Sequence, residues 1–533
     1  MGNQISEVRL LNVPLESDYK HTLYFANKAS QESYFLGKST SFNTFTELSY
    51  QRKEKYISIP RNYESLKTFN YLMYRNQQGH YDDWYYAFIT RMEYKSDSVT
   101  WVYFEIDVMQ TYLSKYTIKP SFIEREHTDN DTIGAHTFPE NLEVGEFVSH
   151  YTQEDSTLTA LSVVLATTEP DPSLEEVLGD SGTVLQRYRG TVSGLIYHSY
   201  TIDKLSDLRS LVNEYDEAGK ADAIQAMFIC PTFVASLLDG TNIPDHTKPA
   251  SFEINVGGGI VTAMADAYYP RNKKLLTFPY KYLLVSNNAG ASAVYHYEYF
   301  KNASSGMKFK VYGTITPGGS IRMLPMNYKG VDENNEEGLN LGKYPICNWT
   351  SDAFTNWMTQ NSVNIGLTIA SGVGQIVGGG ITSAIGGVTT GGLGVLSGGG
   401  QIVGGVSTIA GQLAQIHQMS FTPNQSRGNI NNGDVTTTMN KNTFTFYGMS
   451  IRPEYARIID GFFDMFGYKV NQVKTPLVNH RDEYWYTKTI DVSIDGDIPS
   501  EDMQKIKDCY NRGITFWKNP ANIGDYSVRN EIA

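Results

Sequence analysis

Cysteine is scarce in this sequence, which has three cysteines among its 533 residues. Cys230, Cys347 and Cys509 are far apart, odd in number and form no C-x-x-C pair, so neither a zinc site nor a disulfide framework is expected. We interpret them as buried free thiols. The N-terminus also lacks the basic and apolar regions of a secretory signal peptide, so secretion through such a signal is not indicated.

Positive charge is in deficit. The chain has 44 Lys and Arg against 57 Asp and Glu, which gives a formal net charge of −13. Strong attachment to a polyphosphate depends on Lys and Arg that displace its counterions. The composition therefore argues against a protein whose surface grips DNA.

One long segment lacks charge altogether, since no Asp, Glu, Lys or Arg occurs between Asp352 and Arg427. A charge at the centre of a bilayer costs about 2.5 to 3.5 kcal/mol on insertion scales, so its absence over a length that spans a membrane twice permits contact with lipid. We predict that segment 353–426 penetrates a membrane. The residues that we predict to meet lipid are Ile365, Leu367, Ile369, Val373, Ile376, Val377, Ile381, Ile385, Val388, Leu393, Val395, Leu396, Ile402, Val403, Val406, Ile409 and Leu413.

The same segment is rich in glycine, with 15 between Ser371 and Gly405. Each glycine costs up to about 1 kcal/mol of helix propensity relative to Ala, so a conformationally convertible segment is expected rather than a fixed pair of transmembrane helices. The stretch "SGVGQIVGGGITSA" from Ser371 returns as "SGGGQIVGGVSTIA" from Ser397, and each copy carries a G-x-x-x-G that suits close packing. This repeat suggests a hairpin. The alternative is a glycine-rich core loop or linker.

Three short motifs resemble catalytic or binding signatures. "GDSG" at 179–182 lacks the base and orienting acid of a protease triad, and "GKS" at 37–39 has Glu32 where a P-loop needs glycine. A third stretch places acids at calcium-loop spacing, but Ile133 occupies a ligand position and Pro139 lies inside it. We read its histidines as surface or hydrogen-bonded side chains. We therefore expect no enzyme, no cofactor and no metal site. The stretch contains Asp129, Asp131, Gly134, Glu140, His127 and His136.

The patterning favours β structure with some helix. Aromatic residues are 13% of the chain, with 37 Tyr, and residues 100–108 alternate between apolar and polar as a half-buried strand does. Hairpins are predicted within 278–300, around Asn287, Asn288 and Gly290, and within 307–324. Helical spacing with capping residues predicts helices within 201–219, 451–468 and 498–517, starting near Asp203, Pro453 and Ser500 and stopping near Gly219, Gly467 and Gly513.

Several stretches in one order carry a family resemblance. They are "VRLLNVPLESDYKHTLYF", "FEIDVMQTYL", "PSFIEREHTDNDTIG", "PENLEVGE", "PYKYLLV", "EYARIIDGFFDMFGYKVN" and "GDIPSEDMQKIKDCYNRGITFWKN". With them the chain resembles the distal tail (tail-knob) proteins of small short-tailed phages of Gram-positive bacteria. The resemblance implies a mainly β (α+β) fold whose β-rich tube domains assemble into a ring of six subunits. It also implies that the hydrophobic loops plug the lumen and later open a path through the host membrane.

The resemblance and the patterning together divide the chain into five parts. They are 1–148, the first part of the tube domain; 149–275, an inserted domain with helices; 276–352, rich in hairpins; 353–426, the uncharged loop; and 427–533, the rest of the tube domain. Implied partners are copies of the chain, other tail proteins (upstream tube, tip or plug), lipids of the host cytoplasmic membrane and genomic DNA in transit without sequence-specific binding. The alternative function is a receptor-binding or wall-degrading tail component that uses the surface of 149–275.

Overall fold

The computed structural model describes residues 6–48, 50–51, 55–76, 83–169, 171–172, 196–235, 250–348, 434, 436–437 and 441–533. Segment 353–426, with all seventeen apolar residues predicted to meet lipid, lies outside these residues. The "GDSG" motif at 179–182 lies outside them as well.

Strands dominate the described residues, as the aromatic and alternating sequence predicts. They are β1 Ser6–Leu11, β2 His21–Leu23, β3 Thr44–Leu48, β4 Tyr50–Gln51, β5 Tyr56–Ile59, β6 Tyr71–Asn76, β7 Tyr85–Ser96, β8 Val99–Ile106, β9 Tyr116–Ile118, β10 Ser121–Glu126, β11 Phe147–Glu154, β12 Leu161–Thr167, β13 Ile196–Thr201, β14 Ile224–Pro231, β15 Ala250–Val256, β16 Lys281–Ser286, β17 Ser292–Tyr295, β18 Met307–Gly313, β19 Ile321–Tyr328, β20 Val331–Glu333, β21 Leu339–Asn340, β22 Ile346–Asn348, β23 Thr445–Ile451, β24 Tyr468–Lys474, β25 Tyr484–Ile490, β26 Ile494–Gly496 and β27 Ile514–Trp517. The α-helices in the same residues are α1 Lys28–Gly37, α2 Tyr63–Leu66, α3 Val108–Thr111, α4 Leu205–Glu217, α5 Thr232–Ala235, α6 Pro453–Phe466 and α7 Ser500–Arg512.

The chain forms two compact units. Unit 1 comprises Met1–Val144, Pro270–Leu275 and Glu454–Ala533. Its described strands form a seven-stranded sheet in the order β3-β1-β6-β7-β8-β5-β4, a five-stranded sheet in the order β2-β27-β25-β10-β24 and the pair β26-β9. Alternate side chains such as Val102 and Phe104 of β8 are buried, because successive residues of a strand point to opposite faces of the sheet.

Unit 2 comprises Gly145–Tyr269 and Leu276–Pro453. Its described strands form sheets in the orders β11-β23-β16-β17, β13-β12-β14-β22 and β15-β18-β19-β20, with β21 paired to β19. Buried rings fill its interior: the ring centroids of Tyr295 and Phe309 lie 5.2 Å apart, and those of Phe309 and Phe446 lie 5.1 Å apart. Such aromatic pairs add to the stabilisation from burial.

Both predicted hairpins are confirmed. Strands β16 and β17 pair antiparallel, with Leu283 opposite Tyr295, and β18 and β19 pair with Val311 opposite Met323. The predicted strand at 100–108 is confirmed only to Ile106, because Asp107 then caps helix α3 by accepting hydrogen bonds from the N–H groups of Met109 and Gln110.

The three predicted helices are confirmed, but two of their predicted caps are wrong. Asp203 lies inside a 3₁₀ turn, Ile202–Lys204, which precedes α4, so the helix begins after it. Ser500 is the first residue of α7, and the residue at the capping position is Pro499, which has no side-chain donor or acceptor. Gly219, Gly467 and Gly513 all have positive φ angles, as the ends of these helices require.

The architecture is thus mainly β with some helices, distributed over several sheets. Among the described residues, no helix combines the length and the apolar character needed to cross a membrane.

Candidate functional site: the anchors of the uncharged segment

The strands that flank the uncharged segment 353–426 both belong to unit 2. The last described strand before it is β22, Ile346–Asn348, which we call the outgoing strand. The first described strand after it is β23, Thr445–Ile451, which we call the return strand.

The return strand is central in its sheet. It pairs antiparallel with β11 on one side and with β16 on the other, and Phe446 and Ile451 are fully buried. Gly448 lets β11 approach closely, because a Cβ at this position would lie 3.0 Å from the Cβ of Tyr151. Pairing on both sides and burial together hold this end of the segment firmly.

Asn288 clamps the residues that lead into the return strand. It lies in the turn between β16 and β17 with a φ of 54°, a left-handed conformation that asparagine tolerates better than most residues. Its Nδ2 atom donates to the carbonyl oxygen of Thr443 at 2.9 Å and to Oγ1 of Thr445 at 3.0 Å. It also lies 3.4 Å from the carbonyl oxygen of Lys441.

The sequence identified this turn but not the clamp. The "SNNAG" pattern predicts a turn from local chemistry, whereas the acceptors of the Asn288 carboxamide lie more than 150 residues away along the chain. The residues around a turn do not predict which distant carbonyl groups its side-chain amide will bind. The neighbouring Asn287 instead supports the turn itself, because its Oδ1 accepts from the N–H groups of Ala289 and Ala291 at 2.9 Å each.

Two further contacts fix the same stretch to unit 2. The Thr443 hydroxyl donates to the carbonyl oxygen of Asp155 at 3.0 Å, and Lys441 Nζ lies 2.7 Å from Oε1 of Glu154. The ion pair is partly exposed, so we assign it less than about 1 kcal/mol. Most of the stabilisation of the return strand therefore comes from the buried strand pairing and from the Asn288 clamp.

Fewer described contacts belong to the outgoing strand. Among the described residues it lies at the edge of its sheet and pairs only with β14, through Ala226–Asn348, Met227–Cys347 and Phe228–Ile346. With about 0.5 to 1.5 kcal/mol net for each hydrogen bond, a three-residue edge pairing is worth a few kcal/mol. The longer return strand, paired on both sides, is worth several times more.

Just before the outgoing strand the chain is again well fixed. Tyr344 is buried, its N–H donates to the carbonyl oxygen of Gly319 at 2.8 Å, and its ring is stacked on Phe228 with centroids 6.2 Å apart. The carbonyl oxygen of Pro345 accepts from the N–H of Ile229 at 3.0 Å. Tyr344 and Pro345 are therefore fixed to unit 2 on the upstream side of the outgoing strand.

A buried lysine lies next to the return strand. Lys281, opposite Ser450 in the register of β16 and β23, is fully buried, and its Nζ donates to the carbonyl oxygens of Ile260 and Ala263. Burial lowers its pKa to about 7. Burial, with a smaller contribution from the Lys281 charge, lowers the pKa of nearby His150 to about 4.

We expect Lys281→Met to remove a pH dependence from the stability of unit 2. A folded state with a lowered lysine pKa binds fewer protons than the unfolded state, so the wild-type protein gains stability as pH rises from about 7 towards 10. The variant should lack this gain, on the order of 1 to 3 kcal/mol. Urea denaturation at pH 7 and pH 9.5 measures it. Lys308→Met, at a half-exposed lysine of β18, serves as the control, and an unchanged pH slope in Lys281→Met would contradict the assignment.

Two acids of the calcium-like stretch, Glu140 and Asp131, are bonded to the protein's own donors. Oε1 of Glu140 accepts from the N–H of Lys469 at 2.9 Å, and its carboxylate is paired with Arg125 and Lys274. Asp131 accepts from the hydroxyl of Tyr468 at 2.6 Å and from the N–H of Lys273 at 3.1 Å. Among the described residues, no group of three or more His, Cys, Asp or Glu is arranged to hold a metal ion.

The histidines of this stretch are hydrogen-bonded, as predicted. Nδ1 of His127 accepts from the N–H of Tyr486 at 2.7 Å, and burial lowers the pKa of His127 to about 3. His136 Nε2 lies 2.6 Å from the carbonyl oxygen of Asn130. Cys230 and Cys509 are buried free thiols, as predicted, whereas the side chain of Cys347 is outside the described atoms. In the "GKS" stretch, Gly37 is the last residue of helix α1 and Lys38 is its C-cap.

Two protein families match the chain. Residues 4–117 match the N-terminus of the caudoviral major tail protein, and residues 249–531 match the family of the Bacillus phage phi29 tail knob protein gp9, C-terminal domain. Together with the multi-sheet β fold, these matches define the class of this chain as a structural component of a phage tail. Because the second match covers more than half of the sequence, the chain belongs to the phi29 gp9 tail knob family.

Individual relatives agree along the whole length. The chain is 25% identical to the tail knob protein gp9 of Bacillus phage phi29 and 24% identical to that of Bacillus phage B103, with 99% of this chain and 98% of each relative covered. The solved tail knob protein gp12 of bacteriophage C1 has a similar fold, with a TM-score of 0.63 at 13% identity over 99% of this chain and 100% of that one. The chain is therefore a structural tail knob protein of the virion and not an enzyme.

Proposed function

We propose that six copies of this protein form a ring at the distal end of the tail, with the uncharged segments plugging its lumen before infection. On infection the segments leave the lumen, enter the host cytoplasmic membrane and open a path for the genome. One observation carries this proposal: a segment free of charge and rich in aliphatic residues is inserted between two strands of a tail knob protein. Apolar side chains packed against their copies are shielded from water, and they remain shielded when lipid replaces those copies.

The composition supports a conduit. With a net charge of −13, the protein offers no general positive surface to hold phosphates, so DNA in transit passes without sequence-specific binding. The other partners that we propose are further tail proteins, namely the upstream tube and a tip or plug. We propose that the tube domain is built from 1–148 and 427–533. The parts 149–275 and 276–352 come between these two in the sequence.

Dye release from vesicles tests the proposed membrane activity. The full-length protein, at neutral and at acidic pH, and a peptide of residues 353–426 are each added to phosphatidylethanolamine–phosphatidylglycerol vesicles that contain carboxyfluorescein. We expect release by the peptide or by the acid-treated protein. The proposal is refuted if neither releases dye while the protein binds or cleaves wall polysaccharide. That outcome supports the alternative, a receptor-binding or wall-degrading component that acts through the surface of 149–275.

We expect Ile381→Asp combined with Val395→Asp to leave tail assembly intact and to block genome delivery. Each new carboxylate opposes insertion by about 2.5 to 3.5 kcal/mol at the centre of a bilayer. Plaque assays and electron microscopy of the particles measure the two effects. The matched control, Ile381→Leu with Val395→Leu, keeps the segment apolar and should preserve infectivity; full infectivity of the Asp variant would refute the assignment.

A further inference from the structure

Three rings of unit 2 form a stack that is open to solvent at both of its ends. The His296 ring stacks on the Phe278 ring, with centroids 4.0 Å apart and planes at 6°, and on the Tyr299 ring, with centroids 4.9 Å apart and planes at 25°. We call these three residues the ring stack. Phe278 is 43% exposed and Tyr299 is 40% exposed. A cluster of exposed apolar rings, unlike a single one, marks a binding surface.

Hydrogen bonds hold the ring stack in place. The N–H of Phe278 donates to Oε1 of Glu298 at 3.2 Å, and the same oxygen lies 3.7 Å from Nδ1 of His296. The carbonyl oxygen of Tyr299 accepts from the N–H of Lys329 at 2.9 Å. A ligand therefore meets rings that are already in position, which lowers the entropic cost of binding.

The charges around the ring stack favour a neutral ligand. Lys329 Nζ lies 5.7 Å from the ring centroid of Tyr299 and is already paired with Glu337. Burial lowers the pKa of His296, so its ring is neutral at neutral pH. The carboxyl group of Glu298 is buried next to the stack, and its Oε2 has no hydrogen-bond partner among the described atoms. A polymer of phosphates needs unpaired cations, which these groups do not supply.

We propose that the ring stack binds a neutral glycan, with one pyranose ring on the open face of Phe278 and hydroxyl groups bonded by Lys329 and Glu337 beside Tyr299. His296 covers one face of Phe278, so the exposed area of Phe278 lies on its other face and rim. A pyranose has C–H groups on its faces and hydroxyls around its rim. Its C–H groups are attracted to the negative face of an aromatic ring. An oligosaccharide can contact both ends of the stack.

Calorimetric titration of the full-length protein tests this binding with three probes at neutral pH. They are the hexamer of N-acetylglucosamine, cellohexaose and poly(glycerol phosphate). We expect at least one of the two neutral oligosaccharides to bind and the anionic polymer not to bind. Absence of binding to both neutral oligosaccharides would overturn the proposal. Binding of poly(glycerol phosphate) alone would also overturn it, because the ring stack would then select charge.

Two substitutions of Phe278 separate stacking from apolar bulk. Phe278→Leu stays apolar but loses the flat ring face, so we expect it to weaken oligosaccharide binding at least tenfold. Phe278→Tyr keeps the ring and should bind within threefold of the wild type, which also shows that the site tolerates substitution. The control Tyr269→Ala removes an exposed aromatic residue of unit 2 that lies outside the ring stack, and it should bind within twofold. Equal binding by Phe278→Leu and the wild type would refute stacking.

Sedimentation velocity and dye release separate this site from other roles of the surface. A smaller oligomer in Phe278→Leu than in the wild type would show that copies of the chain cover the ring stack, and would overturn the proposal. Dye release by Phe278→Leu should equal that of the wild type, because glycan binding does not rest on the proposed membrane function. Loss of dye release in this variant would therefore contradict a site dedicated to glycan.

Discussion

Replacing Gly467 by alanine is expected to destabilise unit 1 by about 3 to 5 kcal/mol, the combined cost of a left-handed backbone and an overpacked contact. Gly467 follows helix α6 with a φ of 60°. A Cβ there would lie 2.2 Å from the carbonyl oxygen of Glu126 and 2.4 Å from the nitrogen of His127. Both are backbone atoms of β10 and its continuation, so the sheet would have to move.

A glycine six residues earlier gives the matched control. Gly461 lies within α6, and an added Cβ would meet no heavy atom within 4 Å. Gly461→Ala should therefore stabilise the protein by up to about 1 kcal/mol through helix propensity. Urea denaturation followed by tryptophan fluorescence compares the two variants; equal stabilities would show that the close approach at Gly467 is readily relieved.

Replacing Glu140 by alanine should destabilise unit 1 by a similar amount, about 3 to 5 kcal/mol, because it removes the carboxylate that two largely buried cations share. The Glu140 side chain is fully buried, and its partners Lys274 and Arg125 are 3% and 12% exposed. The carboxylate also accepts from the N–H of Lys469, which would lose its partner. The loss therefore combines the removal of a buried carboxylate from two cations with an unsatisfied backbone donor.

An exposed ion pair in the same unit serves as the comparison. Glu93, paired with Lys95 at the surface, is 39% exposed, so Glu93→Ala should lower the stability far less than Glu140→Ala does. Glu140→Gln should fall between the two, because it keeps the shape and an acceptor but not the charge. A loss below about 1 kcal/mol for Glu140→Ala would show that water or a rearranged carboxylate replaces the pairing.

Much of the secondary structure follows from local patterns. Alternation predicted β8, the turn residues around Asn288 predicted the β16–β17 hairpin, and glycines predicted the ends of α4, α6 and α7. The errors are also local. Asp203 and Ser500 are residue types that often cap helices. Asp203 instead lies in a 3₁₀ turn, which is common at helix ends, and Pro499 occupies the capping position before Ser500.

By itself the sequence determined three properties of this protein. They are the charge-free segment, the deficit of positive charge and the resemblance to tail knob proteins. These properties are read along the chain and need no partner. Only the tertiary structure decided which distant residues meet, such as Glu140 with Lys274 and Asn288 with Thr443. Such meetings depend on sheet order and register, and residues far apart in sequence carry no local signal of them.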